Sequence, residues 1–174
     1  FTNGAVSCAG PAKTFTITVN PTGQVNQPAN QTLCNGETTT LVTFSTTNTG
    51  GTTTYAWTDS ATSIGLAASG AGNMAAVTAV NTGTSPVVAT ITVTPTFTNG
   101  AVSCAGPAKT FTITVNPTGQ VNQPGNQTLC NGATTTLVTF GTTNTGGTTT
   151  YAWTNSATSI GLAASGSGNI AAFT

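Results

Sequence analysis

The sequence predicts an all-β protein made of tandem antiparallel β-sandwiches, and two observations support that prediction. Residues 1–28 return without a change as residues 97–124, a shift of 96 positions, and a repeat of this length indicates an array of similar units. Each period also contains short segments in which apolar residues alternate with threonine, separated by turns rich in Gly, Asn and Pro. About seven such segments, with no helical pattern among them, are typical of a two-sheet sandwich.

The repeat divides the chain into three parts. Residues 1–20 are predicted to be the C-terminal strands of a preceding repeat, residues 25–117 one complete repeat, and residues 121–174 the N-terminal part of the next. Residues 97–174 match residues 1–78 at all but seven positions. Because both ends of the sequence fall inside a repeat, we interpret it as a window from a longer polymer of such units.

The first strands are predicted on either side of a linker. Residues 13–19 alternate threonine with large apolar residues, which predicts a strand. Asn-Pro-Thr-Gly at residues 20–23 ends this strand, because proline donates no ladder hydrogen bond and glycine permits a turn. Residues 25–34 are predicted to form the next strand, at a sheet edge because Pro28 interrupts it.

The middle of the repeat is predicted to hold four strands, at residues 38–44, 52–58, 64–67 and 74–80. The small-residue stretch at 68–73 is predicted to be a loop between the last two. The alanines of the fourth segment would also suit a helix, but its valines and the flanking glycines favour a strand.

Two further strands are predicted at residues 87–94 and 109–115, with a long turn between them that contains Asn99-Gly100 and Cys104. Core candidates are the large apolar residues that share one face of the strands. They are Val42, Phe44, Tyr55, Trp57, Ile91, Val93, Phe111, Ile113 and Val115.

Composition excludes several classes of function. Only two lysines and two carboxylates carry charge, and histidine is absent. Nucleic acid is therefore not an expected partner, because phosphate binding needs clustered Lys and Arg. No apolar run reaches membrane-spanning length, so no membrane insertion is expected in this window. Threonine supplies 44 of the 174 residues, and this composition, with two cysteines in each repeat, favours an extracellular location.

The chain resembles the PKD-like, immunoglobulin-like repeats of very long bacterial surface proteins, which are typical of Bacteroidota. The stretches that resemble them are LCNGETTTLVTF, TTTYAWT, SIGLAASG, NTGTSPVVATITVTPT and CAGPAKTFTITVNP. The resemblance covers the whole chain. It implies an immunoglobulin-like sandwich with Trp57 in its core, export from the cell, and a spacer or adhesive role without a catalytic site.

The cysteines are Cys8, Cys34, Cys104 and Cys130. Two cysteines in one exported repeat most often pair within it, which predicts a disulfide between Cys34 and Cys104. Cys8 and Cys130 would then have partners outside the window or in another chain. An alternative stays open, because the first turn and the last hairpin of an immunoglobulin-like sandwich tend to lie at opposite ends. One unit's first turn would then meet the last hairpin of the next unit, or of another chain.

No catalytic, cofactor-binding or metal site is expected. Glu37 and Asp59 are the only carboxylates, and the second copy has Ala133 and Asn155 in their places, so an acid–base pair is not expected. Without histidine there is no Ser-His or Cys-His nucleophile, and isolated cysteines make a poor metal site. Ser60, in the tripeptide Asp-Ser-Ala, resembles a short O-glycosylation motif of Bacteroidota surface proteins and is a candidate modification site.

We expect a structural repeat module of an extracellular fibre, filament or adhesin stalk. Its partners would be further copies of itself, arranged head to tail and side by side, since low charge removes repulsion between neighbouring fibres. In one version, residues 1–19 of one chain would add a strand to the incomplete repeat of another. The alternative is an adhesive module that recognises glycan or another cell surface through its loops. Tyr55 and Trp57 could then stack on a sugar, although a tryptophan on a central strand is more often part of the core.

Overall fold

The structure, a computed structural model, describes all 174 residues. It is all-β, with 32% of residues in strands and isolated bridges and 3% in helical turns, and its sheets have a sandwich-like arrangement. Two 3-10 turns, Thr62–Ile64 and Thr158–Ile160, are the helical elements, and no helix is long and apolar enough to span a membrane. The strands are β1 (Thr2–Asn3), β2 (Val6–Ser7), β3 (Gln31–Cys34), β4 (Thr52–Asp59), β5 (Ser69–Ala71), β6 (Val87–Asn99), β7 (Val102–Ala105), β8 (Lys109–Asn116), β9 (Ala152–Thr154) and β10 (Ser165–Ser167).

The complete repeat folds around one six-stranded sheet. Its strand order is β3-β8-β6-β4-β5, and β7 also pairs with β6. β6 lies between β4 and β8, where its alternating threonines and β-branched apolar residues suit a strand with a neighbour on each side. The strands predicted at residues 52–58, 87–94 and 109–115 are confirmed as β4, β6 and β8.

One pair of strands in this sheet is parallel. Gln31–Cys34 of β3 pairs with residues 113–116 of β8 in the parallel direction, so the prediction of a purely antiparallel sandwich is wrong here. The whole unit lies between these strands in sequence, which is long enough for the crossover that a parallel pair requires. The first and last strands of the repeat therefore run side by side in the same direction.

The first strand begins six residues later than predicted. Pro28 has no N–H to donate and interrupts the ladder. Side chains supply the missing bonds to β8. Gln27 Nε2 donates to Thr110 O at 2.7 Å, and Asn30 Oδ1 accepts from Thr112 N at 2.9 Å. The segment before β3 thus continues the contact with β8 without being a strand.

β6 is five residues longer than predicted, because it continues through Pro95. Its neighbour on one side changes at this point, since β8 pairs with it up to Val93 and β7 takes over at Thr96. A proline is tolerated where the ladder on one side is interrupted, and Pro95 O still accepts from Gly106 N at 2.9 Å. The long turn predicted here is wrong, and the β6–β7 hairpin turns at Gly100, whose φ is +59°.

Isolated bridges hold the second layer of the sandwich. They are Thr38–Thr78 and Val42–Met74. The strands predicted at residues 38–44 and 74–80 are therefore wrong as continuous strands. Side chains take up backbone groups that a regular ladder would use, and Thr39 Oγ1, for example, accepts from Val77 N at 2.9 Å. Threonine and asparagine compete with backbone ladders in this way.

The segment after β4 also differs from the prediction. The turn at Thr62–Ile64, closed by a left-handed glycine, replaces the strand predicted at residues 64–67. The loop predicted at residues 68–73 contains β5, which pairs with β4. Gly70 of β5 lies so close to the ring of Trp57 that a Cβ would collide with it. The small residues of β5 therefore form a strand here because only small residues fit over the ring of Trp57.

Fourteen buried apolar residues form the core between the sheet and the bridged layer. Phe44 packs 5.4 Å from Tyr55 and 6.5 Å from Phe111, measured between ring centroids. Ile64 and Leu66 also belong to the core but were not among the predicted residues. Of the predicted core residues, Tyr55 is half-buried against the cluster and the others are buried, namely Val42, Phe44, Trp57, Ile91, Val93, Phe111, Ile113 and Val115.

Two copies of one sequence have different structures. Residues 13–19 repeat residues 109–115, yet only the second copy is a strand, within β8. In the first copy Phe15, Ile17 and Val19 are 80–87% exposed. β8 lies between β3 and β6, whereas residues 13–19 have no neighbouring strand to pair with. The strand predicted there is therefore wrong.

Candidate functional site: the junction between repeats

The incoming linker, residues 20–23, is held at the N-terminal end of the complete repeat. Gly23 N donates to Cys104 O of β7 at 3.0 Å. Asn48 Nδ2 donates to Thr22 O at 3.1 Å. The linker therefore lies between β7 and the loop that precedes β4, and this arrangement sets where the unit begins.

The outgoing linker, residues 116–119, leaves β8 beside the turn that follows β3. Asn35 N donates to Asn116 O at 2.8 Å, and Asn35 Nδ2 donates to Thr118 Oγ1 at 3.1 Å. The sequence of this linker, Asn-Pro-Thr-Gly, is the same as that of the incoming one. Its proline fixes one backbone angle and so restricts bending.

Asn81 stabilises the C-terminal end of the unit from inside. It is 4% exposed, and a buried amide is costly unless it is hydrogen-bonded. Its Nδ2 donates to Val115 O at 2.7 Å and to Ser85 O at 2.9 Å, and its Oδ1 accepts from Gly83 N at 3.0 Å. Its backbone N–H donates to Asn35 Oδ1 at 2.8 Å. These bonds fix the loop before β6 against the end of β8.

The next repeat meets the complete one at the junction, which we define as Thr84, Thr118, Asn144 and Thr145. Thr145 N donates to Thr84 O at 2.8 Å. Asn144 Nδ2 donates to Thr118 O at 3.2 Å and to Thr84 O at 3.4 Å. Thr118 is therefore held from both sides, by Asn35 of one unit and by Asn144 of the next.

Gly146 packs against Pro86 next to the junction. Its φ is +75°, and a Cβ built on it would lie 2.8 Å from Pro86 Cδ. Gly50, its counterpart in the complete repeat, has a φ of +78° and open space around it. The two glycines therefore share a backbone conformation and differ in the contact between units.

A groove of about 740 Å³ is open in residues 121–174. In the complete repeat, the counterparts of its six large apolar residues belong to the core or pack against it, next to residues of β6 and β8. The groove therefore corresponds to the place that these two strands occupy in a complete unit. Its apolar lining includes Leu129, Val138, Ile160, Leu162, Ile170 and Phe173.

The disulfide predicted between Cys34 and Cys104 is absent, and all four cysteines are free. Cys34 is paired with Asn116 at the end of β8, and Cys104 is paired with Phe97 in the far part of β6. The part of β6 between Val87, which lies opposite the end of β8, and Phe97 spans roughly 30 Å. Because a disulfide needs Cα atoms within about 7 Å of each other, pairing within the repeat is wrong.

Glu37 and Asp59 each stabilise a local turn. Glu37 Oε2 accepts from Cys34 N, at the end of β3, at 2.8 Å. Asp59 Oδ1 accepts from Ala61 N at 2.9 Å. Asn155 makes the corresponding bond to Ala157 N at 2.9 Å in the second copy. Since an amide oxygen serves this turn as well as a carboxylate does, the bond explains why the two copies can differ here.

Ser60, the candidate modification site, is exposed. Its Oγ accepts a hydrogen bond from Thr90 N of β6 at 2.8 Å. A sugar attached through this oxygen would therefore lie at the surface next to the central sheet. Glycosylation of Ser60 stays a prediction.

Tyr55 and Trp57 do not form an exposed platform. Trp57 is 7% exposed and lies under Gly70, while Tyr55 packs against Phe44. Burial raises the pKa of the Tyr55 phenol above its usual 10.0, and a hydrogen bond with the Thr46 side chain partly opposes this effect. These two aromatic residues serve the core of the unit.

Nowhere in the structure do three or more His, Cys, Asp or Glu side chains gather as a metal site. We take the junction as the candidate functional site, because several hydrogen bonds there join one unit to the next. Comparison of the chain with protein-family models, with curated proteins and with solved structures found no match.

Proposed function

We propose that the chain is a structural repeat module of an extracellular fibre, filament or adhesin stalk, built from tandem immunoglobulin-like, PKD-like sandwiches. Each unit resists extension, and a linker held from both sides passes the load to the next unit. The observation that best supports this proposal is the parallel pairing of β3 with β8.

Load along the array enters the unit before β3 and leaves it after β8. Because these strands are parallel neighbours, pulling on the two ends slides one strand along the other. All of the hydrogen bonds between them are then loaded together, whereas a terminal antiparallel hairpin would open one bond at a time. The side-chain bonds of Gln27 and Asn30 extend the loaded contact towards the start of β8.

The junction suits the same role. A fibre transmits load best when neighbouring units keep a fixed orientation, and Thr118 is bonded to residues of both units. The bond from Thr145 N to Thr84 O links the two units directly. Proline in the linker removes one degree of backbone freedom, so bending at the junction is restricted.

Lateral packing of chains belongs to the same proposal. Four charged side chains in 174 residues give a formal net charge of zero. Neighbouring fibres therefore feel almost no electrostatic repulsion, which otherwise keeps proteins apart. Exposed sheet edges in such a chain can associate with one another.

Electron microscopy of the native material tests this function. An antibody against residues 25–117 should label long filaments with an axial repeat of roughly 40–50 Å, because the 13 residues of β6 span about 43 Å and a short linker follows. Isolated globular particles that bind sugar saturably would contradict the fibre and favour the adhesive module instead.

A further inference from the structure

Cys34 lies beside the first residue of the outgoing linker. It is paired with Asn116, its neighbour Asn35 is bonded to Thr118 of the same linker, and its side chain is exposed. Cys104 of the same unit lies roughly 30 Å away, at the other end of the sheet. A partner for Cys34 must therefore come from beyond its own unit.

Cys104 lies beside the last residue of the incoming linker. Its carbonyl oxygen accepts a hydrogen bond from Gly23 N at 3.0 Å, and its side chain is only partly covered. The two cysteines of a repeat thus lie next to the two different linkers that flank it, one at each end.

The outgoing linker reproduces the contacts of the incoming one. Gln120 N donates to Asn144 Oδ1 at 2.7 Å, as Gln24 N donates to Asn48 Oδ1 at 2.7 Å. The next unit therefore begins on its linker in the same way as the complete unit does. Its own β7 cysteine would consequently lie against Gly119.

We propose that Cys34 of each repeat forms a disulfide with the β7 cysteine of the following repeat, which is the counterpart of Cys104. The inference rests on the proposed tandem array. One cysteine lies beside the first residue of a linker and the other beside its fourth. Three residues span at most about 10 Å, and each cysteine lies about 5 Å to the side of the linker, so the two Cα atoms lie within about 20 Å of each other. Cys34 is the exposed last residue of β3 and Cys104 lies in the β6–β7 hairpin, so the end of β3 and this hairpin must approach each other to reach disulfide distance.

The chemistry is a thiol–disulfide exchange. The two thiols lose two protons and two electrons as their S–S bond forms. The oxidant is the disulfide of a small thiol or of an exchanging protein, whose own S–S bond breaks and which leaves as two thiols. Extracellular conditions allow the product to persist. Cys8 and Cys130 would pair in the same way with neighbouring repeats of the array.

A chain lengthened by one period, residues 1–116 followed by residues 21–174, tests the inference. The added unit brings its own core, because every residue of the core cluster lies between Val25 and Val115. Both chains are folded in oxidised and reduced glutathione, and free thiols of the monomers are counted by alkylation and mass spectrometry. We expect four free thiols in the 174-residue chain, and four free thiols with one disulfide in the lengthened chain, which has six cysteines.

A matched pair of variants identifies the bond, because the two Cys34 peptides have the same sequence. Cys34→Ser in the first complete repeat should abolish the disulfide, and the same substitution in the second complete repeat should leave it intact. Six free thiols in a folded lengthened chain would overturn the inference, as would a Cys34–Cys104 disulfide in the 174-residue monomer. Neither of these results bears on whether filaments form, which microscopy decides separately.

Discussion

Single residues determine how tightly the sandwich closes, and the contact between Gly70 and Trp57 is one example. The glycine lies over the indole ring. The indole N–H has no acceptor among the protein atoms, so this tryptophan stabilises the unit through its volume and packing. Gly166 and Trp153 form the same pair in the second copy, where the tryptophan is less buried.

Gly70→Ala should therefore destabilise the complete repeat by about 1–3 kcal/mol, since the added methyl group forces the ring to move in a packed core. Urea unfolding followed by tryptophan fluorescence measures the effect. Gly166→Ala is the matched control, and we expect a smaller loss there because Trp153 has room to move. Equal losses in the two variants would show that the contact of Gly70 with Trp57 contributes no more to stability than the contact of Gly166 with Trp153.

Tyr55 makes the stability depend on pH at the alkaline end. Burial raises the pKa of its phenol, so the unfolded chain releases this proton at a lower pH than the folded chain does. The contribution is fully present below about pH 10 and is lost as the pH rises through the folded pKa. Tyr55→Phe should therefore lose less stability than the wild type between about pH 9 and about pH 11, measured by urea unfolding.

Residue-level prediction succeeded where alternation coincides with a strand. Ile91 and Phe111 lie in regular strands, so a period of two places them correctly in the core. Ile64 and Leu66 lie at and just after a 3-10 turn, which has no period of two and gives no comparable signal. Gly70 could not be recognised either, because its role depends on a tryptophan that only the folded sheet brings close.

At the scale of elements, the ladder between β3 and β8 is the feature that connects the fold with the proposed function. The sequence predicts both strands, but it does not reveal that they are parallel neighbours, because pairing depends on the path of the whole unit. In the same region, Pro28 predicts an interrupted contact with the neighbouring strand, but side-chain bonds of Gln27 and Asn30 replace those that the backbone loses. Pro95 follows the end of the predicted strand, but β6 continues through it where its neighbour changes.

The double variant Gln27→Ala/Asn30→Ala should destabilise the complete repeat by about 1–3 kcal/mol, because each side chain contributes roughly 0.5–1.5 kcal/mol through its bond to β8. Chemical unfolding measures this change. The matched variant Gln123→Ala/Asn126→Ala alters the same residues in the second copy, where neither bonds to a neighbouring strand, and should change stability little. Equal stability of the two variants would show that these side-chain bonds do not strengthen the contact with β8.

At the scale of the whole molecule, context decides structure. Residues 13–19 and 109–115 have one sequence, yet only the latter form a strand, because β3 and β6 are there to pair with them. Sequence alone predicts the period, the linkers and the strands β4, β6 and β8 of the complete repeat. It does not predict the junction, since the bonds from Asn144 and Thr145 depend on how one folded unit is placed on the next.

Gly146→Ala should disturb the junction, because the new methyl group would meet Pro86. Gly50→Ala is the matched control, with the same left-handed strain but no neighbour within reach. We expect the Thr145 amide to exchange with solvent faster in the first variant and at the wild-type rate in the second, measured by hydrogen exchange with NMR. A Thr145 amide that keeps its protection in Gly146→Ala would show that this contact does not hold the units together.

Pulling a single molecule by its two ends tests the central claim, that the complete repeat bears load through its parallel terminal strands. We expect one abrupt unfolding event that releases roughly 30 nm of chain, the extended length of the unit less its folded length. We also expect that Gln27→Ala/Asn30→Ala lowers the force of that event while Gln123→Ala/Asn126→Ala does not. Extension at low force without an abrupt event, or an event whose force is the same in both variants, would contradict the account.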